Sequence, residues 1–269
     1  MLSQTFLPDL LKGKTAFVAG ASSGINLQCA RRYAEAGARV FIISRSEDKI
    51  AAAAQQLRGD GLDVTGMACD VRDAARLKEA LSACRDAYGP IDIVLSGAAG
   101  NFIAPALGMS ANAFKTVVDI DLLGTFNVFH GCYEYLNEGG ASLVAITAGQ
   151  AVRPMMYQIH ACAAKAGVNQ VIKCLAMEWG PKNIRVNGIS PGPIGDTEGM
   201  IRLAPNEQAV EASKKRIPLR DWGTKDDIGD ACLWLASDAA RYVSGAIINV
   251  DGGSELGDAS GDAFGMKGD

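Results

Sequence analysis

A glycine-rich loop near the start of the chain has the composition of a phosphate-binding turn. The residues Gly20-Ala21-Ser22-Ser23-Gly24-Ile25-Asn26 follow the apolar segment Thr15–Ala19 and precede a stretch with helical periodicity. Glycine lets a backbone pass close to a pyrophosphate, and the N-terminus of a helix attracts the anion with free N–H groups. The sequence predicts dinucleotide contacts from Gly20, Ser22, Ser23, Gly24 and Ile25. A tight strand-to-helix turn without a ligand is the alternative.

The second apolar segment ends in Ser44-Arg45-Ser46, where an arginine lies between two hydroxyl side chains. NAD-binding units commonly have an acidic residue here, which binds the 2′-hydroxyl of the adenosine ribose. A guanidinium instead donates charge-assisted hydrogen bonds that suit a 2′-phosphate. Arg45 therefore favours NADP(H) as the cofactor, and a solvated arginine at a helix start is the alternative.

These features, and several later segments, resemble the short-chain dehydrogenase/reductase family. The family loop has the form Gly-x-x-x-Gly-x-Gly, and Asn26 stands here at its last glycine. The resemblance covers residues 13 to 253 and implies a Rossmann-type fold. Further cofactor contacts are implied where this chain matches the family after its third, fourth and sixth strands, at Asp70, Val71, Ala98, Pro191, Gly192, Ile194 and Thr197.

The catalytic residues of that family are only partly present. The family has a tyrosine four residues before a lysine, and a serine thirteen residues before the tyrosine. Lys165 matches the lysine, but Ala161 and Ala148 stand at the other two positions. Alanine has no proton to donate, so carbonyl reduction cannot proceed in the usual way. Tyr157 lies about 12 Å from Lys165 if both are on one helix, so it is expected to pack or to line the pocket.

The segment Ala98-Ala99-Gly100-Asn101-Phe102 resembles the 2,4-dienoyl-CoA reductases, a branch of the family with this departure. The mitochondrial type has a tyrosine where this chain has Gln150. The peroxisomal type lacks that tyrosine and is associated with an aspartate at the position of Asp121, which elsewhere in the family is a structural asparagine. The chain is therefore more similar to the peroxisomal type.

This resemblance implies that NADPH reduces the conjugated double bonds of an acyl thioester, a reaction of fatty acid metabolism. It implies that Asn101 donates to the thioester oxygen or fixes the acyl chain. Asp121 would deliver a proton, directly or through a water, and Lys165 would hold the nicotinamide ribose. The substrate pocket would include Phe102, Gln150 and Tyr157. The alternatives are a structural carboxylate for Asp121, a turn residue for Asn101 and a surface lysine for Lys165.

Two further groups of residues have ordinary structural interpretations. His160 neighbours the empty tyrosine position but points about 100° away from it on a helix, which favours packing or an interface. Arg202 and the run Lys214-Lys215-Arg216 could meet the phosphates of coenzyme A. A solvated helix face is the simpler interpretation of that basic run.

The elements that must position these residues alternate regularly along the chain. Seven short apolar segments are predicted to be strands covered on both faces, which is typical of a doubly wound parallel sheet. They are Thr15–Ala19, Arg39–Ser44, 64–69, 91–96, 142–147, 185–189 and Ile247–Val250. Helical periodicity fills the stretches between them: 25–36, 49–57, 75–88, 111–136, 155–179 and Lys225–Ala236. We expect one domain over residues 1 to 269, with an excursion from 193 to 222 that covers the substrate.

Composition excludes several classes of protein. The net charge of −4 argues against a nucleic-acid partner, and two histidines without zinc-like spacing argue against a metal site. Seven cysteines without a pairing pattern indicate reduced thiols in a cytosol-like compartment. We expect a cytoplasmic protein, because neither a signal peptide, a membrane span nor a terminal Ser-Lys-Leu is evident.

Three functions remain open at this stage. The first is an NADPH-dependent enoyl or dienoyl thioester reductase. The second is a carbonyl or alcohol oxidoreductase with a displaced donor, such as Tyr157 or Gln150 with water. The third is a non-catalytic NADP(H)-binding protein. The long helical stretches 111–136 and 155–179 resemble those through which family members form dimers and tetramers, so we expect a homotetramer or homodimer.

Overall fold

The computed structural model describes residues 5–197, 200, 204 and 206–262. Its centre is a seven-stranded sheet in the order β3-β2-β1-β4-β5-β6-β7, with every neighbouring pair parallel. The strands are β1 (Thr15–Ala19), β2 (Arg39–Ser44), β3 (Val64–Ala68), β4 (Ile93–Ser96), β5 (Ala141–Ile146), β6 (Ile184–Pro191) and β7 (Ile247–Val250). The predicted doubly wound parallel sheet is confirmed.

Helices cover both faces of this sheet. They are α1 (Gly24–Glu35), α2 (Glu47–Gly59), α3 (Ala74–Tyr88), α4 (Ala111–Val118), α5 (Gly124–Cys132), α6 (Ile159–Trp179), α7 (Glu207–Lys215) and α8 (Lys225–Ala236). Four of them, α3, α4, α7 and α8, start at a residue whose side chain caps the helix. Asp73 accepts a hydrogen bond from the backbone N–H of Arg76, and Thr224 forms a reciprocal capping box with Asp227.

The apolar core consists of two clusters, one on each face of the sheet. All residues of β1, β4 and β5 are buried, so these central strands carry no alternation of polar and apolar side chains. Val18 and Ile42 pack into one cluster, whereas Phe17 and Phe41, whose rings stack at 5.9 Å, pack into the other. Successive side chains of a strand point to opposite faces, which explains this division.

The strand order reverses between β1 and β4, where the chain crosses from β3 back to β4 and leaves a crevice that can bind a ligand. Strand β1 pairs with β2 on one side and with β4 on the other, so the chain winds outward in both directions from this point. In sheets of this type, ligands bind beyond the carboxyl ends of the strands at such a switch point. The loops after β1 and β4 therefore lie side by side at the expected site.

Two predicted helices differ from those observed. The predicted helix 111–136 is interrupted by a π-helical turn at Asp119–Leu123, between α4 and α5. The predicted helix 155–179 begins only at Ile159, because Tyr157 has a positive φ of 65° that a right-handed helix does not allow. Both deviations involve residues that the sequence predicts to lie in the site, Asp121 in the first and Tyr157 in the second.

The excursion after β6 is only partly described. Within its described residues it contains α7 and a single parallel bridge between Ile194 and Gly223. Arg202, named above as a candidate phosphate contact, lies outside the described residues. Across the described part of the chain, no helix combines the length and the apolar character needed to cross a bilayer.

Candidate active site

The glycine-rich loop is shaped by a close approach to the loop after β4. Gly20 has a φ of 83°, and a Cβ atom at this position would lie 2.7 Å from the backbone nitrogen of Ala98. Only glycine combines this backbone conformation with so short a separation. The chain then enters α1 at Gly24, and the hydroxyl of its N-cap, Ser23, makes no capping bond. The first N–H groups of the helix are therefore not satisfied by their cap residue and suit an anion.

Asn26, which replaces the last glycine of the family loop, connects the two loops. Its Nδ2 donates to the carbonyl oxygen of Gly97 at 2.7 Å and to that of Gly20 at 3.2 Å. The side chain is buried, and a Cβ atom at Gly97 would collide with its amide. Its added volume is thus accommodated between the loops, beneath the proposed phosphate position.

The end of β2 fits the adenosine side of a dinucleotide. Arg45 is exposed, and no described residue forms a hydrogen bond or ion pair with its guanidinium. The neighbouring Ser44 hydroxyl is buried without a hydrogen-bond partner among the described residues. After the neighbouring strand β3, hydrogen bonds from Arg72 and then the charges of Arg72 and Arg45 hold the pKa of Asp70 below its usual value. A guanidinium without a partner among the described residues suits a 2′-phosphate, to which it can donate charge-assisted hydrogen bonds.

Asp121 lies on the π-helical turn and faces the loop after β4. Its side chain is 1% exposed, and its Oδ1 accepts the backbone N–H of Gly100 at 2.7 Å. Its Oδ2 lies 3.4 Å from Nζ of Lys165. The extra residue of a π turn rotates the side chains around it, and such turns are frequent at functional sites. The irregularity therefore has a direct effect on where this carboxyl group points.

Lys165 is buried on α6 and lies between two oxygen atoms. Its Nζ donates to the carbonyl oxygen of Ile146, at the end of β5, at 2.9 Å and faces Asp121. The alternative of a surface lysine is wrong, because only 7% of the residue is exposed. Ala161 is buried one turn earlier and leaves no protic group at the family's tyrosine position.

Two opposing effects act on the carboxyl group of Asp121. Burial disfavours its charged form and is the larger effect, whereas Lys165 and the N–H of Gly100 favour the charged form. The net result is a pKa above the usual value for aspartate. Asp121 consequently keeps its proton to a higher pH than an exposed aspartate, which suits a general acid.

Three side-chain amides meet beside this pair. Asn101 Nδ2 donates to Oε1 of Gln158 at 2.6 Å, and Gln150 Nε2 donates to the same oxygen at 3.1 Å. The sequence singled out Asn101 and Gln150 but not Gln158. A glutamine one residue before an amphipathic helix carries no special signal, and only its burial in the structure distinguishes it.

Phe102 and His160 form a stacked pair. Their ring centroids are 4.2 Å apart, and His160 is fully buried, as the packing interpretation expects. Burial lowers the pKa of the imidazole, so it is neutral near pH 7. Tyr157, in contrast, is 49% exposed and precedes the helix, so it is not a packed residue of α6.

The turn after β6 and the basic run of α7 are held by internal contacts. Ile194 is buried, and its carbonyl oxygen accepts the hydroxyl of Thr197 at 2.7 Å. Pro191 ends β6, and the backbone N–H of Gly192 donates to Val250. In the basic run, every member faces a carboxylate: Lys214 with Asp221, Lys215 with Asp262 and Arg216 with Asp258. This pairing supports the solvated-face interpretation of the run.

The chain is similar to a known protein family and to several of its members. Residues 20–255 match the family model described as enoyl-(acyl carrier protein) reductase. The peroxisomal 2,4-dienoyl-CoA reductase [(3E)-enoyl-CoA-producing] of Rattus norvegicus is 43% identical over 255 residues, which is 93% of this chain and 86% of the relative. The corresponding protein of Arabidopsis thaliana is 38% identical over 94% of this chain and 88% of the relative.

Among solved structures, a gluconate 5-dehydrogenase from Burkholderia cenocepacia J2315 in complex with NADP and tartrate has the same fold. The TM-score is 0.86 at 28% identity, and the match covers 93% of this chain and 98% of that chain. The common fold extends over nearly the entire length of both proteins.

Proposed function

Because the chain belongs to the enoyl-(acyl carrier protein) reductase family of short-chain dehydrogenases/reductases, we propose that it is an NADPH-dependent 2,4-dienoyl-CoA reductase. The observation that carries the proposal is the buried pair of Asp121 and Lys165, beside the amide of Asn101, in a site with alanine at the tyrosine and serine positions. This set has a proton donor and a carbonyl-binding group, but no tyrosine to protonate an alkoxide.

The cofactor is NADP(H), bound across the crevice between the loops after β1 and β4. Gly20, Ser22, Ser23, Gly24 and Ile25, at the N-terminus of α1, would hold the pyrophosphate. Arg45 would bind the 2′-phosphate, which its exposed guanidinium without a partner among the described residues supports. Asp70, Val71 and Ala98 would contact the adenine side, and Pro191, Gly192, Ile194 and Thr197 the nicotinamide end. Lys165 would hold the nicotinamide ribose.

The reaction adds one hydride and one proton to a conjugated acyl thioester. When bound, NADPH supplies the hydride, which forms a C–H bond at the δ carbon of the 2,4-dienoyl group. The electrons of the C4=C5 bond shift along the chain, and negative charge appears on the thioester oxygen as a dienolate. Protonation at the α carbon then leaves a single C3=C4 bond, a 3-enoyl thioester. The relatives named above are described as (3E)-enoyl-CoA-producing.

Asn101 and Asp121 supply what this intermediate needs. Amide N–H groups aimed at the thioester oxygen stabilise the developing charge in a site shielded from water. Asp121, whose pKa is raised by its burial, delivers the proton to the α carbon directly or through one water. Lys165 then faces a charged carboxylate 3.4 Å away and stabilises it until the proton is replaced.

The acyl chain binds along an apolar border of the site. Several exposed apolar side chains lie in the same loops as the three amides, namely Phe102, Ile103, Val152, Met155, Met156 and Tyr157. Exposed clusters of this kind commonly mark binding surfaces. We expect the excursion from 193 to 222 to cover the acyl chain, within a single domain of residues 1 to 269.

The protein also associates with copies of itself through α5 and α6. Four large apolar side chains in this region are each at least 40% exposed: Phe126 on α5, Leu123 and Tyr133 directly before and after it, and Met177 on α6. Large apolar side chains that share one exposed face favour burial against an identical face. A homodimer or homotetramer satisfies this requirement.

The first experiment follows NADPH absorbance during incubation with a 2,4-dienoyl-CoA. We expect NADPH to be consumed faster than NADH, and mass spectrometry and NMR of the product to show two added hydrogens and a C3=C4 bond. Tight NADPH binding without turnover of any dienoyl-CoA would contradict the proposal. Turnover of a 2-enoyl-CoA or of a simple ketone instead would move the assignment to another reductase class.

A further inference from the structure

Gln158 has a buried side chain with no assigned role, and its carbonyl oxygen is the point where two site amides meet. We propose that Gln158 is a positioning residue, which holds Asn101 and Gln150 as a matched pair of N–H donors for the thioester oxygen. The proposal rests on the proposed function for the identity of the substrate. It also makes Gln150 the second N–H donor to the thioester oxygen, beside Asn101, at the position where the mitochondrial type has a tyrosine.

The three amides come from three separate segments of the chain. Asn101 belongs to the loop after β4, Gln150 to the 3-10 turn Gly149–Ala151 after β5, and Gln158 immediately precedes α6. Gln158 is 5% exposed, whereas Asn101 is exposed and Gln150 is half-buried. The buried amide is therefore the fixed one, and the two more accessible amides are attached to it.

The helix does not explain the burial of this side chain. Gln158 occupies the N-cap position of α6, but its side chain makes no capping hydrogen bond. Its Oε1 instead accepts bonds from the two site loops, at 2.6 Å from Asn101 and 3.1 Å from Gln150. Its Nε2 lies 2.8 Å from the sulfur of Met155. The polar contacts of Gln158 thus serve the site rather than the end of its own helix.

Donor counting shows what this arrangement presents to a ligand. A primary amide has two N–H donors, and a carbonyl oxygen has two lone pairs. Gln158 Oε1 uses both lone pairs, and each partner uses one N–H. Within the described residues, neither Asn101 nor Gln150 has another side-chain hydrogen-bond partner. Each therefore keeps one N–H, and two N–H groups match the two lone pairs of a thioester oxygen.

Gln158 also determines which end of each amide is presented. If Asn101 or Gln150 turned by 180° about its last side-chain bond, its own oxygen would face Gln158 Oε1 and be repelled. Donors that are oriented before the reaction require no reorganisation when negative charge appears on the thioester oxygen. The contribution of Gln158 therefore appears in the transition state rather than in cofactor binding.

The first test compares the wild type with Gln158→Leu, which is similar in volume but accepts no hydrogen bond. We expect kcat with a 2,4-dienoyl-CoA to fall about tenfold, the order of one lost orienting hydrogen bond in the transition state. The Kd for NADPH, measured by fluorescence titration, should not change. The matched control is Gln56→Leu on the exposed side of α2, which should keep full activity.

A second variant separates positioning from a loss of packing. Gln158→Glu keeps a carbonyl oxygen when it is protonated but places a negative charge beside the thioester oxygen when it is ionised. Its activity relative to the wild type should approach one as pH falls and decline as pH rises. The same ratio for Gln158→Leu should not vary with pH. A merely structural role predicts no such difference between the two variants.

The decisive step repeats Gln158→Leu in a chain that carries Asn101→Ala and Gln150→Ala. We expect no further loss in this background, because the groups that Gln158 orients are gone. An equal loss in both backgrounds, or a parallel loss of NADPH affinity, would overturn the inference. If the wild type reduces no dienoyl-CoA, the proposed function fails and the inference fails with it. If the wild type is active and Gln158→Leu is equally active, only the inference fails.

Discussion

Asp121 combines the two properties that a general acid needs in this site, burial and a nearby cation. Its oxygens face the N–H of Gly100 and the ammonium of Lys165, and its side chain is 1% exposed. Burial alone would leave a carboxyl group that rarely ionises, whereas the cation alone would keep it ionised at all working pH values. Together they leave the pKa above the usual value for aspartate, with burial as the larger effect and Lys165 opposing it.

The pH dependence of kcat should follow the protonated fraction of Asp121. Because the acid form donates the proton in the proposed mechanism, we expect the rate to be fully present below the raised pKa and to be lost as pH rises through it. Asp121→Asn should be slower by at least about a hundredfold and should lose this dependence. Steady-state rates from acid to alkaline pH, at saturating NADPH, measure the effect.

Asp119→Asn is the matched control for that prediction. Asp119 lies on the same π-helical turn, but its carboxylate pairs with Lys115 on the outer side of the helix. The control variant should keep the wild-type profile. A wild-type profile that is flat, or an Asp121→Asn profile with the wild-type slope, would remove Asp121 from the proton path.

At the scale of elements, the loops after β1 and β4 depend on Asn26 for their separation. The amide joins the carbonyl oxygens of Gly20 and Gly97, one from each loop, at 3.2 Å and 2.7 Å. Asn26→Ala removes both bonds and leaves buried carbonyl groups without this donor. We expect a loss of about 1–3 kcal/mol in the free energy of unfolding and a severalfold weaker Kd for NADPH.

Urea unfolding and fluorescence titration of NADPH check the Asn26 prediction. Gln28→Ala provides the control, since it removes a hydrogen bond to Asp226 from the exposed side of the same helix. A surface bond of this kind should cost well under about 1 kcal/mol. Equal stability of Asn26→Ala and the control would show that the two loops hold their positions without Asn26.

The sequence specifies regular elements better than it specifies their interruptions. Five of the seven strands are predicted within one residue at each end, because a run such as Thr15–Ala19 is apolar and β-branched without alternation. The π turn at Asp119–Leu123 could not be predicted, since one irregular turn is shorter than the stretch over which apolar periodicity can be recognised. The late start of α6 depends on the left-handed conformation of Tyr157, which a tyrosine rarely adopts.

In the candidate site too, some residues can be predicted from sequence motifs and others cannot. Asp121, Lys165 and Asn101 were identified by motif, and the structure brings the first two within 3.4 Å of each other. Gln158 belongs to no motif, and its contacts join residues 57 and 8 positions away in the chain. Such contacts depend on how three loops meet, which local sequence patterns do not encode.

At the scale of the whole molecule, α5 and α6 leave an apolar surface next to a cleft. The ring of Phe126 stacks on His130 at 5.3 Å, and Tyr133 lies 4.9 Å from Trp179. His130, Tyr133 and Trp179 also line a cleft of about 460 Å³ that extends to α3. A surface with both projecting rings and a cleft can receive the same surface of a second copy across a twofold axis.

Phe126→Glu should therefore dissociate the oligomer. Phe126 is 40% exposed in the single chain, and a carboxylate at its position would be buried without a partner in a self-association interface. Light scattering after size-exclusion chromatography should show the mass of one chain for this variant and a multiple of it for the wild type. Lys49→Glu, on the exposed face of α2, should keep the wild-type mass.

An unchanged mass for Phe126→Glu would place the interface elsewhere, whereas a wild type of one-chain mass would mean that these rings serve another purpose. Because α6 also carries Lys165, dissociation that lowers NADPH affinity would show that the oligomer supports the site through this helix.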